Sequence, residues 1–365
     1  MGRRALGTAA ILALLALAMG LVAGCSDDGT AARDGSSTEV SSGSSPVQVP
    51  PSSGSGESIT IYSGQHPQTV SALVDAFRDS TGIGVSLRSA PEGELANQVL
   101  LEGSNSPADV FYAGNSPALE ALDEQGLLAP VAASTLAAVP KTDSSPKGNW
   151  VGASARASVL VYNTGQLTPA DLPASLLDLA KPEWKGRVGF APSETDFQPL
   201  VTSVATLKGE DAAKQWLGGL KDNGKTYDNN EAIIAAVNRG EVAAGLIEHY
   251  YWYRLRDEIP AGEFHVALHY FPRGDPGHLL VASGAGVLRS SDHSAAAQRF
   301  LSYLVSPAGQ EIIATSDSYE YPLRPGVTNT SLERPLASLT PSALSVAQLG
   351  DGQSAFRLLQ EVGLL

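Results

Sequence analysis

From Ser58 onward the chain alternates strand signals with helical ones, and this constrains the fold more than any other feature. Ile59 and Ile61 alternate with Thr60 and Tyr62, the period of a half-buried strand. Val70, Leu73, Val74 and Phe77 then recur at helical spacing, with Gly82 just beyond. Gly84 to Leu87 reads as a strand, and Leu95 to Leu101 as a helix. Asp109 to Tyr112 is a third strand, followed by a helix from Ala118 to Leu127. Val151 to Tyr162 contains two strand-like pieces around Arg156. Helical spacing returns at Phe197–Leu207, Ala212–Leu220 and Glu231–Val237, the last with Asn230 as its expected N-cap. Val242 to Ile247 is a strand of buried type, Phe264 to Tyr270 alternates like a strand, and Ala295–Leu304 and Ala308–Ile313 are helical. Such alternation predicts an α/β fold with a mainly parallel sheet. About three hundred residues of this pattern are long for one sheet, so two lobes around a cleft are expected.

The first 57 residues follow different rules. Arg3 and Arg4 precede an apolar run from Ala5 to Val22, closed by Ala23-Gly24-Cys25. A charged start, an apolar middle and small residues at the end describe an export signal over residues 1–24. The small residues before Cys25 resemble the lipobox of bacterial lipoproteins, which implies lipidation of Cys25 and anchoring to the cell membrane. Cys25 is the only cysteine of the chain, so a disulfide framework and a multi-thiolate zinc site are excluded. Residues 25–57 are rich in Ser, Gly and Pro and read as a flexible tether. The formal net charge is −14, which argues against binding to a nucleic-acid backbone.

Several segments, in order along the chain, resemble the ferric-ion-binding proteins of bacterial ABC importers. They are Ile61-Tyr62-Ser63-Gly64-Gln65-His66, Pro107 to Tyr112, Lys181 to Arg187, Leu246 to Tyr253, Asp275-Pro276-Gly277 and Glu320 to Leu323. The resemblance covers about residues 58–365. It implies a two-lobed periplasmic-binding-protein-like fold of the class II type, with the ligand cleft between the lobes. On this reading residues 58–156 plus 283–331 form lobe one, and residues 157–282 plus 332–365 form lobe two. It also implies Fe³⁺ as the transported ligand, an ABC permease and its ATPase as partners, a monomer, and no catalysis.

The chemistry suits the residues. Ferric iron is a hard trication that favours anionic oxygen and accepts imidazole. A bound cation can deprotonate a phenol, whose free pKa is near 10. The resemblance thus assigns Tyr250 and Tyr251 as phenolate ligands from one lobe and His66 as a ligand from the other, with Gln65, Arg156 and Asn230 in support. Trp252 and Tyr253 read as packing. His265 and His269 read as structural, because their stretch alternates like a strand.

Two departures from the family stand out. Where relatives often carry a Glu ligand, this chain has Gly114. Where relatives cradle a phosphate or carbonate beside the iron, this chain has Glu194, Thr195 and Asp196, with Glu248 just before the tyrosines. Carboxylates there would repel an added anion and could replace both it and the missing Glu. Two phenolates and one carboxylate neutralise a trication. The expected ligand set is therefore His66, Tyr250, Tyr251 and one of Glu194, Asp196 or Glu248. Two other functions stay open. One is a binding protein of the same fold for an iron chelate, another metal or a small organic molecule. The other, more remote, is a secreted enzyme acting on the envelope; no nucleophile elbow, nucleotide fingerprint or zinc-protease motif supports it.

Overall fold

One strand, Val151–Asn163, ties the molecule together, and all 13 of its residues are buried. The two pieces expected around Arg156 are continuous. The computed structural model describes residues 56–365. The expected export signal, Cys25 and the expected tether up to residue 55 lie outside the described residues.

The strands are β1 (Ser58–Ser63), β2 (Gly84–Ser89), β3 (Val110–Ala113), β4 (Val151–Asn163), β5 (Val188–Phe190), β6 (Lys225–Thr226), β7 (Ala244–Glu248), β8 (Val266–His269), β9 (Leu280–Val287) and β10 (Tyr321–Pro322). Their order is β2-β1-β3-β9-β4-β7-β5-β6, with β8 and β10 also pairing with β4. The first half of β4, Val151 to Ala157, lies against β9. Its second half, Ser158 to Asn163, lies against β7 and β8. This change of partner in mid-strand joins the two lobes.

The sheet is mixed rather than mainly parallel. β1 is parallel to β2 and β3, and β5 is parallel to β6 and β7. β9 runs antiparallel to β3 and β4, and β4 is antiparallel to β7, β8 and β10. Strand signals carry no direction. The long strands β4 and β9 run past the parallel units instead of returning through a crossover helix. β9 gives little strand signal of its own, because Ser283-Gly284-Ala285-Gly286 is small and glycine-rich. A Cβ on Gly284 would lie 2.5 Å from the Val151 carbonyl oxygen. The close approach of β4 therefore requires glycine there.

Local chemistry sets the helix that follows β1. Pro67 opens the helix Pro67–Thr81, which buries Val70, Leu73, Val74 and Phe77. Gly82 ends it at φ 70°, its N–H donating to the Arg78 carbonyl. Around β1, β3 and β9 the core gathers Phe77, Phe111, Trp150 and Phe300. Around β5 a second core gathers Phe190, Phe197 and Trp216. Each large apolar side chain so buried stabilises the fold by roughly 1.5–3 kcal/mol.

Candidate functional site

The helix His249–Glu258 begins where β7 ends, so Tyr250 and Tyr251 fall in its first turn. Their ring centroids are 4.1 Å apart. Both hydroxyls donate to the same atom, Asp196 Oδ2, at 3.3 Å and 3.4 Å. Asp196 follows β5, just ahead of the helix Gln198–Lys208. Asn230 Nδ2 donates to the same Oδ2 at 3.1 Å. The other oxygen, Oδ1, accepts from Asn115 Nδ2 at 3.1 Å and lies 3.5 Å from Arg156 Nη1. The Asp196 carboxylate is thus a focus for two phenols, two amides and a guanidinium.

Asn230 reaches Asp196 because its neighbour does the capping. The helix Asn230–Asn238 is capped by Asn229, whose side chain accepts from the Ala232 N–H at 2.8 Å. Asn230, the N-cap expected from sequence, is instead the first helical residue.

His66 stands between β1 and the helix Pro67–Thr81, held there by Pro67. Its ring packs edge-on to Tyr250 at 4.8 Å between centroids. Its Nε2 is buried and has no hydrogen-bond partner; Glu320 Oε1 lies 3.5 Å away. Burial, then the charges of Arg156 and Arg254, push the imidazole pKa down to about 3. His66 is therefore neutral at ordinary pH, and its contact with Glu320 is polar rather than ionic. An unprotonated ring nitrogen is what a metal requires of histidine.

The frame behind His66 depends on β4. Ser154, Arg156 and Ser158 are two residues apart and share one face of the strand. Arg156 Nε donates to Glu320 Oε1 at 2.7 Å, and Nη2 donates to Gln65 Oε1 at 2.7 Å. Gln65 Nε2 donates to Glu320 Oε2 at 3.1 Å, and Ser154 also donates to that oxygen. Ser158 Oγ donates to Glu248 Oε1 at 2.8 Å. The guanidinium carbon of Arg156 sits 5.2 Å from the Tyr250 ring centroid. A Cβ on Gly114 would lie 2.8 Å from Arg156 Nη2. The space at Gly114 is filled by this guanidinium, so any side chain there must displace it.

The acids separate into distinct environments. Glu194 lines a cavity of about 650 Å³ together with His66, Asp196, Tyr250 and Tyr251. Burial, then Asp196, Glu231 and Glu92, raise its pKa to about 7. Glu248 is buried beneath the tyrosines against Ser158 and is not among the residues lining this cavity. Burial and then Asp196 push its pKa far up, favouring the neutral acid. Sequence reasoning passed over Glu92, which also lines the cavity. It accepts from the Asn115 N–H at 2.8 Å and from Asn115 Nδ2 at 2.7 Å. Sequence reasoning also gave no role to Asn115, Glu231 and Arg254, or to Glu320, which it met only as the start of a matching segment. His265 precedes β8 and His269 ends it. Four strand steps, about 13 Å, separate them, too far for one ion.

Among the described residues, no group of three or more His, Cys, Asp or Glu could hold a metal ion. The phenols distinguish this cluster. Burial, followed by the Asp196 charge, drives both tyrosine pKa values far up. Both therefore remain protonated until a cation supplies the opposing field. The site can take a hard, highly charged cation through Tyr250, Tyr251, Asp196 and His66.

A family model described as bacterial extracellular solute-binding protein matches residues 105–341. The chain is 42% identical over 309 residues to a Fe(3+)-binding periplasmic protein of Serratia marcescens, covering 85% of this chain and 91% of that one. The crystal structure of iron-bound HitA from Pseudomonas aeruginosa superposes with a TM-score of 0.80 at 44% identity, covering 84% of this chain and 99% of that one. A Trichodesmium protein in complex with iron and citrate superposes with a TM-score of 0.73 at 31% identity, covering 84% and 99%.

Proposed function

The chain belongs to the bacterial extracellular solute-binding protein family, and from that premise we propose that it captures ferric iron outside the cytoplasm for an ABC permease and its ATPase. It is a binding protein and not an enzyme. Fe³⁺ is its cargo, as it is for the relatives named for ferric iron.

One observation carries the ligand assignment. Two tyrosine hydroxyls converge within 3.4 Å of a single carboxylate oxygen, and the ring of His66, whose buried Nε2 has no hydrogen-bond partner, packs 4.8 Å from that of Tyr250. Tyr250, Tyr251, Asp196 and His66 are the proposed ligands. Tyr250 and Tyr251 lose their protons as the ion enters, and Asp196 completes the three negative charges. Asp196 also stands in for the separate phosphate or carbonate of relatives. It is held by Asn230, Asn115 and Arg156, which would otherwise be free to hold an anion. Glu194 adds negative field at the cavity wall, and Glu248 backs the tyrosine helix.

The division at β4 supports lobes of 58–156 plus 283–331 and 157–282 plus 332–365, with β4 and β9 crossing between them. An ion bridging His66 and the phenols would hold the cleft closed, since the His66 and Tyr250 rings already pack together. Cys25 would carry the lipid, so that a monomer works on a tether at the cell membrane.

Titration of the metal-free protein with ferric ion, in buffer stripped of phosphate and carbonate, tests this function. A visible phenolate-to-iron band and a rise in Tm are expected. No band and no Tm shift would overturn the iron reading. A band that appears only after phosphate or carbonate is added would overturn the role given to Asp196.

A further inference from the structure

Among the described residues, Tyr319 is the only one other than glycine with a positive φ, at 53°. That backbone region crowds a Cβ, and an aromatic residue held in it points to a task for the side chain. The Tyr319 hydroxyl donates to Asp257 Oδ2, and its ring stacks on Tyr253 with 5.3 Å between centroids. The other oxygen, Asp257 Oδ1, accepts from Arg256 Nε at 2.9 Å. The Arg256 guanidinium carbon lies 5.0 Å from the Tyr253 ring centroid, 5.3 Å from that of Trp252 and 5.9 Å from that of Tyr319. Trp252, Tyr253, Arg256 and Asp257 all belong to the helix His249–Glu258. The helix whose first turn carries the two phenols therefore clasps Tyr319 farther along its length.

The residue after Tyr319 is Glu320, which belongs to the opposite wall of the cleft. Its carboxylate accepts from Arg156 and Gln65 and lies 3.5 Å from His66 Nε2. We infer that Tyr319 is a positioning residue, tying the frame of His66 to the helix of the phenols. This rests on the ferric-iron reading and on the ligand set proposed above, and deepens both. In the proposed division Tyr319 belongs to lobe one and Asp257 to lobe two, so the tie crosses from lobe to lobe. Arg156 already joins the two walls from within, by touching Asp196 and Glu320. A single attachment leaves the segment that carries Glu320 free to swing about it, and a second attachment removes that swing. Asp257 is six residues beyond Tyr251, about 9 Å along the helix axis. The second attachment is thus well separated from the ligands and resists rotation through a long arm. Partners behind a metal ligand hold it in the orientation the metal needs, and here the partner of the partner is held as well. The clasp acts on how long imidazole and phenols stay together, so it governs release of the ion more than its capture.

The experiment follows the decay of the phenolate band when iron-loaded protein is mixed with excess EDTA. Tyr319→Phe keeps the ring and loses the bond to Asp257, and should speed release about threefold, the effect of one hydrogen bond. Tyr319→Gly loses ring and bond together, and its release rate should approach that of His66→Ala. Glycine suits this backbone better than tyrosine, so a residue that only shaped its own turn would lose nothing by that substitution. The band maximum should stay in place in both variants, because the phenols are intact. In the His66→Ala protein, Tyr319→Gly should alter the rate by less than about twofold, since the ligand through which the clasp acts is gone. Release from Tyr319→Gly as slow as from the parent would overturn the proposal. So would an undiminished effect of that substitution in the His66→Ala protein, or a shifted band, which would place the effect on the phenols. The parent protein separates the two readings. No band in the parent sinks the iron reading and the clasp with it, whereas a normal band with unaltered release in Tyr319→Gly sinks the clasp alone.

Discussion

The two walls of the cleft are built on opposite plans. The wall that follows β5 and β7 presents hard oxygen donors, with Tyr250, Tyr251 and Asp196 gathered at one point. The wall that follows β1 presents one neutral nitrogen, His66, and behind it a closed network of Gln65, Glu320, Ser154 and Arg156. The first wall holds the charge and the second holds the geometry. On the proposed ligand set, a trication would be neutralised on the oxygen wall and the imidazole would complete its coordination. The difference shows how one strand serves both needs, because Arg156 touches the carboxylates of each wall, Asp196 on one side and Glu320 on the other.

The comparison breaks most sharply if both phenols are removed. Tyr250→Phe with Tyr251→Phe should abolish the visible band and cut ferric affinity at least about a thousandfold, roughly 4 kcal/mol. His66→Ala should keep the band and cost only about tenfold, or roughly 1.4 kcal/mol; equal losses in the two titrations would refute the division of labour. Next in size is the frame. Arg156→Leu leaves Glu320 buried without its main cation, and urea unfolding should show a loss of about 3–5 kcal/mol. Asp196→Asn should weaken iron binding roughly 10- to 100-fold, in the range of perturbed metal sites. Isothermal titration should then show that added phosphate restores affinity, which it does not do for the parent protein.

The smallest effect concerns Glu194. Its carboxyl is raised in the fold to about 7 from an ordinary 4.5. The folded state therefore binds more protons than the unfolded chain between those values, and Glu194 lowers stability as pH rises through that window. Glu194→Gln should melt higher than the parent at pH 8 in the metal-free form, with the gap closing by about pH 5. An unchanged gap across that range would show that the fold does not raise the Glu194 carboxyl.

Much of the frame was legible in the sequence, and for stated reasons. β1, β3 and the helix at Val70–Phe77 declare themselves by period and by flanking Pro and Gly. The strand at Val151–Tyr162 was visible only as two pieces around Arg156, because the polar Ser154, Arg156 and Ser158 that face the site interrupt its apolar pattern. β9 hid because close packing against β4 demands small residues, and small residues carry no strand signal. The mixed sheet hid because direction is a property of connections. At the site, the tyrosine pair and His66 were recognisable from their flanking residues. The role of Glu320 was not, although its segment was, since Gln65, its partner, is 255 positions away. Glu92 and Asn115 meet across 23 residues and a change of element. Such pairs exist only once the chain is folded.

The adjacent asparagines at 229 and 230 carry a final consequence. One closes the start of a helix and the other steadies the acid at the centre of the site. They are identical in chemistry and distinguished only by position. The segment that delivers them therefore has no slack in its length. Losing one residue there would leave a single amide for two tasks, and the helix, which forms regardless of what the cleft requires, would keep it. A chain altered in this way would fold with its helix capped and its central carboxylate short of one hydrogen bond.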